Sequence, residues 1–185
     1  MNVIAIEKLS KHYDAVKAVD GISFEVQKGE IFGFLVPNGA GKTTTIECME
    51  GYKVPDGGQV SVLGLDPQAD GNALRKRIGV QLQSAALSPR IKVWEALDLF
   101  ASFYPSAVDW KSLMERMGLA EKRNAYVSRL SGGQRQRLFI ALSLLNDPEL
   151  IFLDELTTGL DPQARRAMWD LVREIREKGK TIFMT

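Results

Sequence analysis

The octapeptide LSGGQRQR at residues 130–137 restricts the fold of this chain more than any other segment. It follows a glycine-rich loop, PNGAGKTT at residues 37–44, and precedes an apolar run that ends in Asp154 and Glu155. A glycine-rich turn that opens a helix is typical of phosphate binding, because its backbone N–H groups converge on an anion. A second glycine pair at a helix start, upstream of an acidic strand, is far less common. The order of these segments predicts a nucleotide-binding α/β fold.

Length, composition and charge narrow the class of protein. The chain has 185 residues, of which 45% are hydrophobic and 25% charged, as expected of one soluble globular domain. Its single cysteine, Cys48, excludes an internal disulfide and suits a reducing cytosol. No apolar run approaches the roughly 20 residues that span a bilayer, and the N-terminus does not resemble a secretory signal. The net charge of +1 gives no electrostatic surface for nucleic acid, so any membrane contact is expected through a partner.

Hydrophobic periodicity predicts strands that alternate with helices, and hence a mostly parallel sheet. The continuous apolar run at residues 31–36 predicts a central strand covered on both faces. Further strands are expected at residues 22–26, 60–63, 77–80, 150–154 and 181–184, and helices at residues 41–49, 88–104, 109–117, 131–145 and 161–175.

The first glycine-rich loop predicts a triphosphate and magnesium site. Lys42 is placed to reach the β- and γ-phosphates, and the Thr43 hydroxyl to bind Mg²⁺. A full phosphate-loop pattern has a glycine five residues before Gly41, where this chain has Val36. Two interpretations remain open: Val36 strains the loop by about 1–3 kcal/mol if that position needs a glycine conformation, or Val36 only extends the preceding strand.

Two further segments carry candidate site residues. Asp154 is expected to hold Mg²⁺, directly or through water, and Glu155 to polarise the attacking water as a general base. Ser131 and the glycine pair after it predict a second anion site at a helix start. The alternative is an ordinary capped helix, which accounts for Ser131 but not for two glycines that disfavour helix by roughly 1 kcal/mol each.

Gln83 and Tyr13 allow two interpretations each. Gln83 follows an apolar strand and either contacts Mg²⁺ or the γ-phosphate, or is a solvated loop residue. Tyr13 either stacks on an adenine ring or is an ordinary half-buried aromatic side chain. The residues alone do not decide between these interpretations.

From Tyr13 to Thr185, the chain resembles the nucleotide-binding domain of ABC transporters. The matching elements are Tyr13, PNGAGKTT, Gln83, LSGGQRQR, the strand IFLDE and the segment TTGLDP that ends at Pro162. The segment after LSGGQ is most similar to cassettes of bacterial drug or lipid exporters. The resemblance implies a P-loop NTPase (RecA-like) α/β core with a mostly parallel sheet, an N-terminal antiparallel β subdomain and a helical insertion.

The resemblance also implies a division of one domain, residues 1–185, into three parts. Residues 1–83 would form the β subdomain and the phosphate-loop half of the core, residues 84–147 the helical signature subdomain, and residues 148–185 the acidic-strand part of the core. The resemblance further implies that the cassette is an ATPase on the cytoplasmic, inner face of the cell membrane.

By the same resemblance, two cassettes pair head to tail around two ATP molecules and drive separate membrane-spanning permease subunits. The pair is a homodimer or two different cassettes, and no nucleic acid is expected. Glu155, Lys42 and Gln83 would be catalytic, and Thr43, Gln83 and Asp154 would bind Mg²⁺. The residues implied to contact nucleotide are Tyr13, Asn38, Gly39, Ala40, Gly41, Lys42, Thr43, Thr44, Gln83, Ser131, Gly132, Gly133, Gln134 and Asp161.

Three departures from the family pattern predict impaired turnover. Val36 replaces a loop glycine, Leu156 follows the catalytic Glu155 where the family usually has proline, and the sequence ends at Thr185, before the position of the family's switch histidine. We therefore expect a truncated or degenerate copy of the cassette. The alternative to a transport ATPase is a non-hydrolysing or regulatory ATP-binding cassette. A soluble relative that acts on ribosomes or DNA is disfavoured, because such proteins usually carry two cassettes or large insertions.

Overall fold

The computed structural model describes residues 1–37, 39–81 and 87–185. Within those ranges, no helix combines the length and the apolar character needed to cross a lipid bilayer. The strands are β1 (Asn2–Tyr13), β2 (Val16–Gln27), β3 (Ile31–Gly33), β4 (Gly57–Val62), β5 (Ile78–Val80), β6 (Leu150–Leu153) and β7 (Thr181–Met184). The helices are α1 (Lys42–Met49), α2 (Gly71–Arg75), α3 (Val93–Ala101), α4 (Trp110–Arg116), α5 (Gly132–Leu144) and α6 (Pro162–Glu177).

An antiparallel sheet forms the N-terminal part of the fold, with strand order β2-β1-β4. The alternation of Ile22, Phe24 and Val26 with polar residues correctly predicted β2, whose partner β1 was not predicted as a separate strand. β1 pairs with both neighbours and buries Ile4 and Ile6, so it is the centre of this sheet. The expected antiparallel β subdomain is confirmed.

A parallel sheet of order β3-β7-β6-β5 forms the centre of the molecule. Along β6, Leu150 and Phe152 pack into one apolar cluster with α1 and the antiparallel sheet. The alternate residues Ile151 and Leu153 pack into a second cluster with α5 and α6. Burial on both faces explains why this strand is continuously apolar. The predicted α/β core with a mostly parallel sheet is confirmed.

The prediction of a central strand over residues 31–36 is wrong. β3 ends at Gly33 and lies at the edge of the described parallel sheet, where it pairs only with β7. The ladder continues for one further bond, from Phe34 N–H to the Met184 carbonyl oxygen at 2.8 Å, and Leu35 is then 87% exposed. The apolar run overestimates the strand because the chain leaves the sheet here to begin the phosphate loop.

The helical layer lies between β5 and β6 along the chain. α3 begins at Val93, not at Ser88 as predicted, because Lys92 is its N-cap and its N–H donates to Glu95 Oε2 at 2.9 Å. α4 begins as predicted, with the Asp109 carboxylate accepting from two backbone N–H groups. α5 packs against β6 from this layer, so it connects the insertion to the central sheet.

Candidate functional site

The phosphate loop leads directly into α1. Gly39 and Gly41 both adopt left-handed backbone angles, with φ of 80° and 82°. Gly41 is the N-cap of α1, and a Cβ atom at this position would lie 2.1 Å from the carbonyl oxygen of Ala18. Only glycine can adopt this left-handed backbone and also leave room for the Ala18 carbonyl. Glycine at position 41 therefore allows the loop to lie directly against β2. Lys42, Thr43 and Thr44 form the first turn of the helix, immediately after Gly39, Ala40 and Gly41.

The ammonium group of Lys42 lies against the loop that precedes it. Its Nζ donates to the carbonyl oxygen of Val36 at 2.9 Å and of Pro37 at 3.4 Å. Val36 is not among the described non-glycine residues with a left-handed backbone, so the condition on which strain was predicted is not met in this structure. Val36 does not extend the strand either, because β3 ends at Gly33. Val36 instead contributes its backbone carbonyl, which any amino acid would supply.

Asp154 and Glu155 directly follow β6. Both form hydrogen bonds with Thr185, the residue after β7. The Thr185 hydroxyl donates to Asp154 Oδ1, and it accepts a hydrogen bond from the Glu155 N–H at 3.2 Å. Glu155 has a left-handed φ of 48°, which is unusual for a residue other than glycine. Leu156, in the position where the family usually has proline, is 1% exposed and packs in the core. The role of Thr185 was not predicted, because its contacts depend on the pairing of β6 with β7, which has no local sequence pattern.

Ser131 and Gln134 close the N-terminus of α5 with a capping box. Ser131 Oγ accepts from the Gln134 N–H at 3.3 Å, and Gln134 Oε1 accepts from the Ser131 N–H at 3.0 Å. A Cβ atom at Gly132 would lie 3.4 Å from Leu160 Cδ2, and one at Gly133 would lie 3.4 Å from Ala164 Cβ. A methyl group at either position would therefore make ordinary van der Waals contact with α6, so packing within the chain does not require these two glycines.

Asp161 caps the neighbouring helix, α6. Its Oδ1 accepts a hydrogen bond from the Ala164 N–H at 2.8 Å, and Pro162 is the first helical residue. This is the helix start that the sequence predicted. Its implied contact with nucleotide stays a prediction.

A cleft of about 450 Å³ brings the separate motifs together. Thr43 from α1, Asp154 and Glu155 from the end of β6 and Gly132 from α5 all contribute to its wall. Three polar residues that the sequence analysis did not single out, Gln81, Arg135 and Gln136, also line it. The remaining lining residues are Phe139, Thr158, Gly159 and Leu160.

Tyr13 lies at the end of β1, beside the turn to β2, and is 40% exposed. The ammonium groups of Lys11 and Lys53 lie 5.6 and 5.9 Å from the centre of its ring. An exposed ring with cations beside it suits stacking on a nucleotide base, and that role stays a prediction. Two other predicted site residues, Asn38 and Gln83, lie outside the described residues.

A buried acid ends α1 at the opposite end from the phosphate loop. Glu50 is the C-cap of α1 and is 4% exposed, and its Oε1 has no hydrogen-bond partner among the described residues. Burial, together with the negative charges of Glu47 and Asp154, raises the pKa of Glu50 from 4.5 to about 8. The carboxyl group is therefore largely protonated at neutral pH.

The oxygen ligands of the cleft suit Mg²⁺ with a nucleotide. Thr43 offers a hydroxyl and Asp154 a carboxylate, and Mg²⁺ prefers such hard oxygen ligands. No group of three histidine, cysteine or acidic residues that could hold a metal occurs in the described part of the chain.

Comparisons with known proteins point to one family. The family model for ABC transporters matches residues 19–158. Nod factor export ATP-binding protein I of Ralstonia nicotianae is 42% identical over 188 residues, which cover 99% of this chain and 59% of that protein. Its counterpart in Burkholderia pseudomallei is 43% identical over 187 residues, which cover 98% of this chain and 62% of that protein. This chain thus spans less than two thirds of the length of either relative.

The fold also matches solved structures. The structure of cbiO1 from Clostridium perfringens, described as part of the ABC transporter complex cbiONQ, superposes with a TM-score of 0.86 at 26% identity. The match covers 99% of this chain and 77% of that one. From the phosphate loop, the acidic strand, the signature helix and these matches together, we conclude that the chain belongs to the ABC transporter family and has the fold of its ATP-binding cassettes.

Proposed function

We propose that this chain binds and hydrolyses ATP to drive export across a membrane through separate membrane-spanning permease subunits. The observation that carries the proposal is the cleft in which Thr43, Asp154 and Glu155 lie together with the start of α5. The names of the relatives, which refer to Nod factor export, support the direction of transport. The chain would lie on the cytoplasmic face of the membrane, with its membrane contacts made by the permease subunits.

Within the cleft, the proposed residues divide binding from chemistry. Lys42 would exchange its contacts with the Val36 and Pro37 carbonyl oxygens for the β- and γ-phosphates of ATP. Thr43, Asp154 and Gln83 would hold Mg²⁺, which neutralises the charge that develops on the phosphates. Glu155 would accept the proton of the water that attacks the γ-phosphorus, while the bond to the β-phosphate oxygen breaks and ADP leaves.

The remaining predicted residues would orient the nucleotide and complete the site across a dimer. Tyr13 would stack on the adenine, and the backbone N–H groups of Gly39, Ala40 and Gly41, together with Asn38 and Thr44, would surround the phosphates. In a head-to-tail pair, a homodimer or two different cassettes, the start of α5 would meet the γ-phosphate held by the partner. The residues that would do so are Ser131, Gly132, Gly133 and Gln134, with Asp161 close to the interface.

Titration calorimetry with Mg-ATP tests nucleotide binding. Replacement of Lys42 by alanine removes the cation of the loop and is expected to lower affinity at least 100-fold, since a charge-assisted phosphate contact is lost. Lys178→Ala, which removes an exposed cation at the far end of α6, is the matched control and should bind normally. Unchanged affinity in Lys42→Ala would contradict the assignment of the phosphate loop.

Turnover is tested separately with Glu155→Gln. This variant should bind Mg-ATP with unchanged affinity and lose phosphate release by about 100-fold or more, because general base catalysis is removed. If the unmodified chain binds Mg-ATP but releases no phosphate in the presence of its permease, the alternative of a non-hydrolysing regulatory cassette is favoured instead.

A further inference from the structure

Gln81 connects three parts of the molecule at the edge of the cleft. Gln81 directly follows β5 and is only 8% exposed. Its backbone N–H donates to the Phe152 carbonyl oxygen at 2.9 Å. Its side-chain Nε2 donates to Gln136 Oε1, also at 2.9 Å. The backbone of Gln81 is therefore bonded to β6, and its side-chain nitrogen is bonded to the first turns of α5.

The other end of the same amide lacks a partner. Gln81 Oε1 is buried and makes no hydrogen bond to any described residue. Buried side-chain acceptors in folded proteins nearly always have a protein or water partner, and an exception calls for a bound water, ion or ligand. Because Gln81 lines the same cleft as Thr43 and Asp154, the missing partner is expected on the side where metal and phosphates would bind.

A second unpartnered atom lies on the adjacent residue of α5. Arg135 also lines the cleft, and its Nε is buried without a hydrogen-bond partner among the described residues. Two residues that line the same cleft thus each have a buried atom without a hydrogen-bond partner: the acceptor Oε1 of Gln81 and the donor Nε of Arg135. Water bound to a metal–phosphate complex can serve both, because it donates to a carbonyl oxygen and accepts from an N–H group.

We propose that Gln81 is a further positioning residue of this site, an inference that rests on the proposed binding of Mg-ATP. Its side-chain carbonyl accepts a hydrogen bond from water in the Mg²⁺ shell, while its amide nitrogen holds the start of α5 through Gln136. Occupancy of the metal site would then fix the orientation of the signature helix within the same chain. Gln81 touches bound water rather than the reacting atoms, so it positions and does not catalyse.

The experiment compares ATP binding with and without Mg²⁺ in four chains by titration calorimetry: the unmodified chain, Gln81→Met, Gln136→Met and Gln136→Glu. Methionine keeps the approximate length of glutamine but cannot make either hydrogen bond. Gln81→Met is expected to lower Mg-ATP affinity about 5- to 10-fold, the effect of one lost hydrogen bond. Affinity for ATP in the presence of a chelator should change less than about 2-fold, because the residue acts through the metal shell.

The Gln136 variants separate this role from packing. Gln136→Met removes only the anchor of the Gln81 amide and should lower Mg-ATP affinity about 2- to 3-fold, less than Gln81→Met does. Gln136→Glu retains an oxygen that accepts from Gln81 Nε2 and should restore the affinity of the unmodified chain. If Gln81→Met does not fold, Gln81→Asn, which withdraws the amide by one methylene group, is expected to show the same selective loss.

Each other outcome overturns the inference. Equal losses with and without Mg²⁺ would show that Gln81 only supports the fold, and unchanged Mg-ATP affinity would show that its oxygen has no partner in the cleft. If the unmodified chain does not bind Mg-ATP, the proposed function itself fails. That result is distinguishable, because it is obtained before any variant is compared.

Discussion

The N-termini of α1 and α5 both present free backbone N–H groups, but only α5 is capped by side chains of its own. The N-cap of α1 is Gly41, which has no side chain with which to cap the helix. The phosphate loop before it contains two glycines, Gly39 and Gly41, with left-handed backbone angles. α5 begins at Ser131, and Ser131 and Gln134 satisfy each other in a capping box. α1 therefore has no side-chain cap, which suits the proposed binding of an external anion. α5 is already capped by side chains of its own first turn.

The helices also differ at their C-termini. α1 ends at the buried Glu50, whereas α5 ends at Leu145, an apolar residue. An anionic Glu50 would be disfavoured by burial and by the negative end of the helix dipole. The helix that carries the phosphate loop thus also carries an acid whose protonation affects stability. The following changes test this contrast, from the largest expected effect to the smallest.

Replacement of Gly41 by alanine should have the largest effect. The new Cβ would lie 2.1 Å from the Ala18 carbonyl oxygen at a left-handed φ of 82°, so the loop has to move. We expect the free energy of unfolding to fall by about 3–5 kcal/mol and Mg-ATP binding to be lost. Chemical denaturation and calorimetry measure the two quantities.

Gly39→Ala is the matched control for that change. Gly39 has a similar φ of 80°, but a Cβ atom there would meet nothing within 4 Å, so only the cost of the backbone conformation, about 1–2 kcal/mol, is expected. Equal destabilisation by the two variants would contradict the argument that contact with β2 requires glycine at position 41.

Replacement of Glu50 by glutamine should stabilise the chain at alkaline pH. The pKa of Glu50 is raised to about 8 in the folded state from an ordinary value of 4.5, so the folded chain binds this proton more tightly than the unfolded chain does. The stabilising effect of the proton is fully present below about pH 4.5 and is lost as the pH rises through about 8. Glutamine mimics the protonated acid without titrating.

We expect Glu50→Gln to raise the free energy of unfolding at pH 9 by on the order of 2–3 kcal/mol and to leave it nearly unchanged at pH 4.5. Denaturant titrations at several pH values measure the difference. Glu177→Gln, a change at an exposed acid at the end of α6, is the control. A difference between wild type and Glu50→Gln that does not depend on pH would exclude a titrating Glu50 as its cause.

Replacement of Ser131 by alanine should have a smaller effect. Loss of the cap is expected to lower the free energy of unfolding by about 1 kcal/mol, while Mg-ATP affinity of the single chain stays unchanged. Chemical denaturation measures the free energy of unfolding, and calorimetry measures the Mg-ATP affinity. A clear loss of affinity in the monomer would show that α5 contacts the nucleotide bound by its own chain, which would break the contrast between the two helices.

The smallest effect is expected for Val36→Gly. Only the backbone carbonyl of Val36 contacts Lys42, and the residue does not have a left-handed backbone. Restoring the glycine of the family pattern should therefore change Mg-ATP affinity by less than about 3-fold. A gain larger than 10-fold would mean that valine does strain the loop when nucleotide is bound.

Several features were predictable because they depend on neighbours along the chain. The caps of Asp109, Ser131 and Asp161 were recognisable, since each bonds to N–H groups two or three residues ahead. The apolar run before Asp154 predicted a strand buried on both faces. The order of the loop, the signature helix and the acidic strand predicted the family. The division into three parts at residues 83 and 147, and the roles of the site residues, remain predictions.

Other features depend on contacts between distant segments, which local patterns do not encode. Residues 31–36 have the composition of a central strand, but pairing with β7 stops after Phe34. The contact of Thr185 with Asp154 depends on the register between β6 and β7. Gln81 and Gln136 are 55 residues apart in sequence and meet only because α5 packs beside the end of β5.

The sequence by itself determined the family, the α/β class and the chemical types in the site, because short motifs and helix caps act over a few residues. The tertiary structure decided which atoms meet: the Ala18 carbonyl against Gly41, the Thr185 hydroxyl between Asp154 and Glu155, and the buried Gln81 amide beside the cleft. These contacts follow from strand register and helix packing. Both arise from burial of apolar surface over the whole chain, which has no local signature.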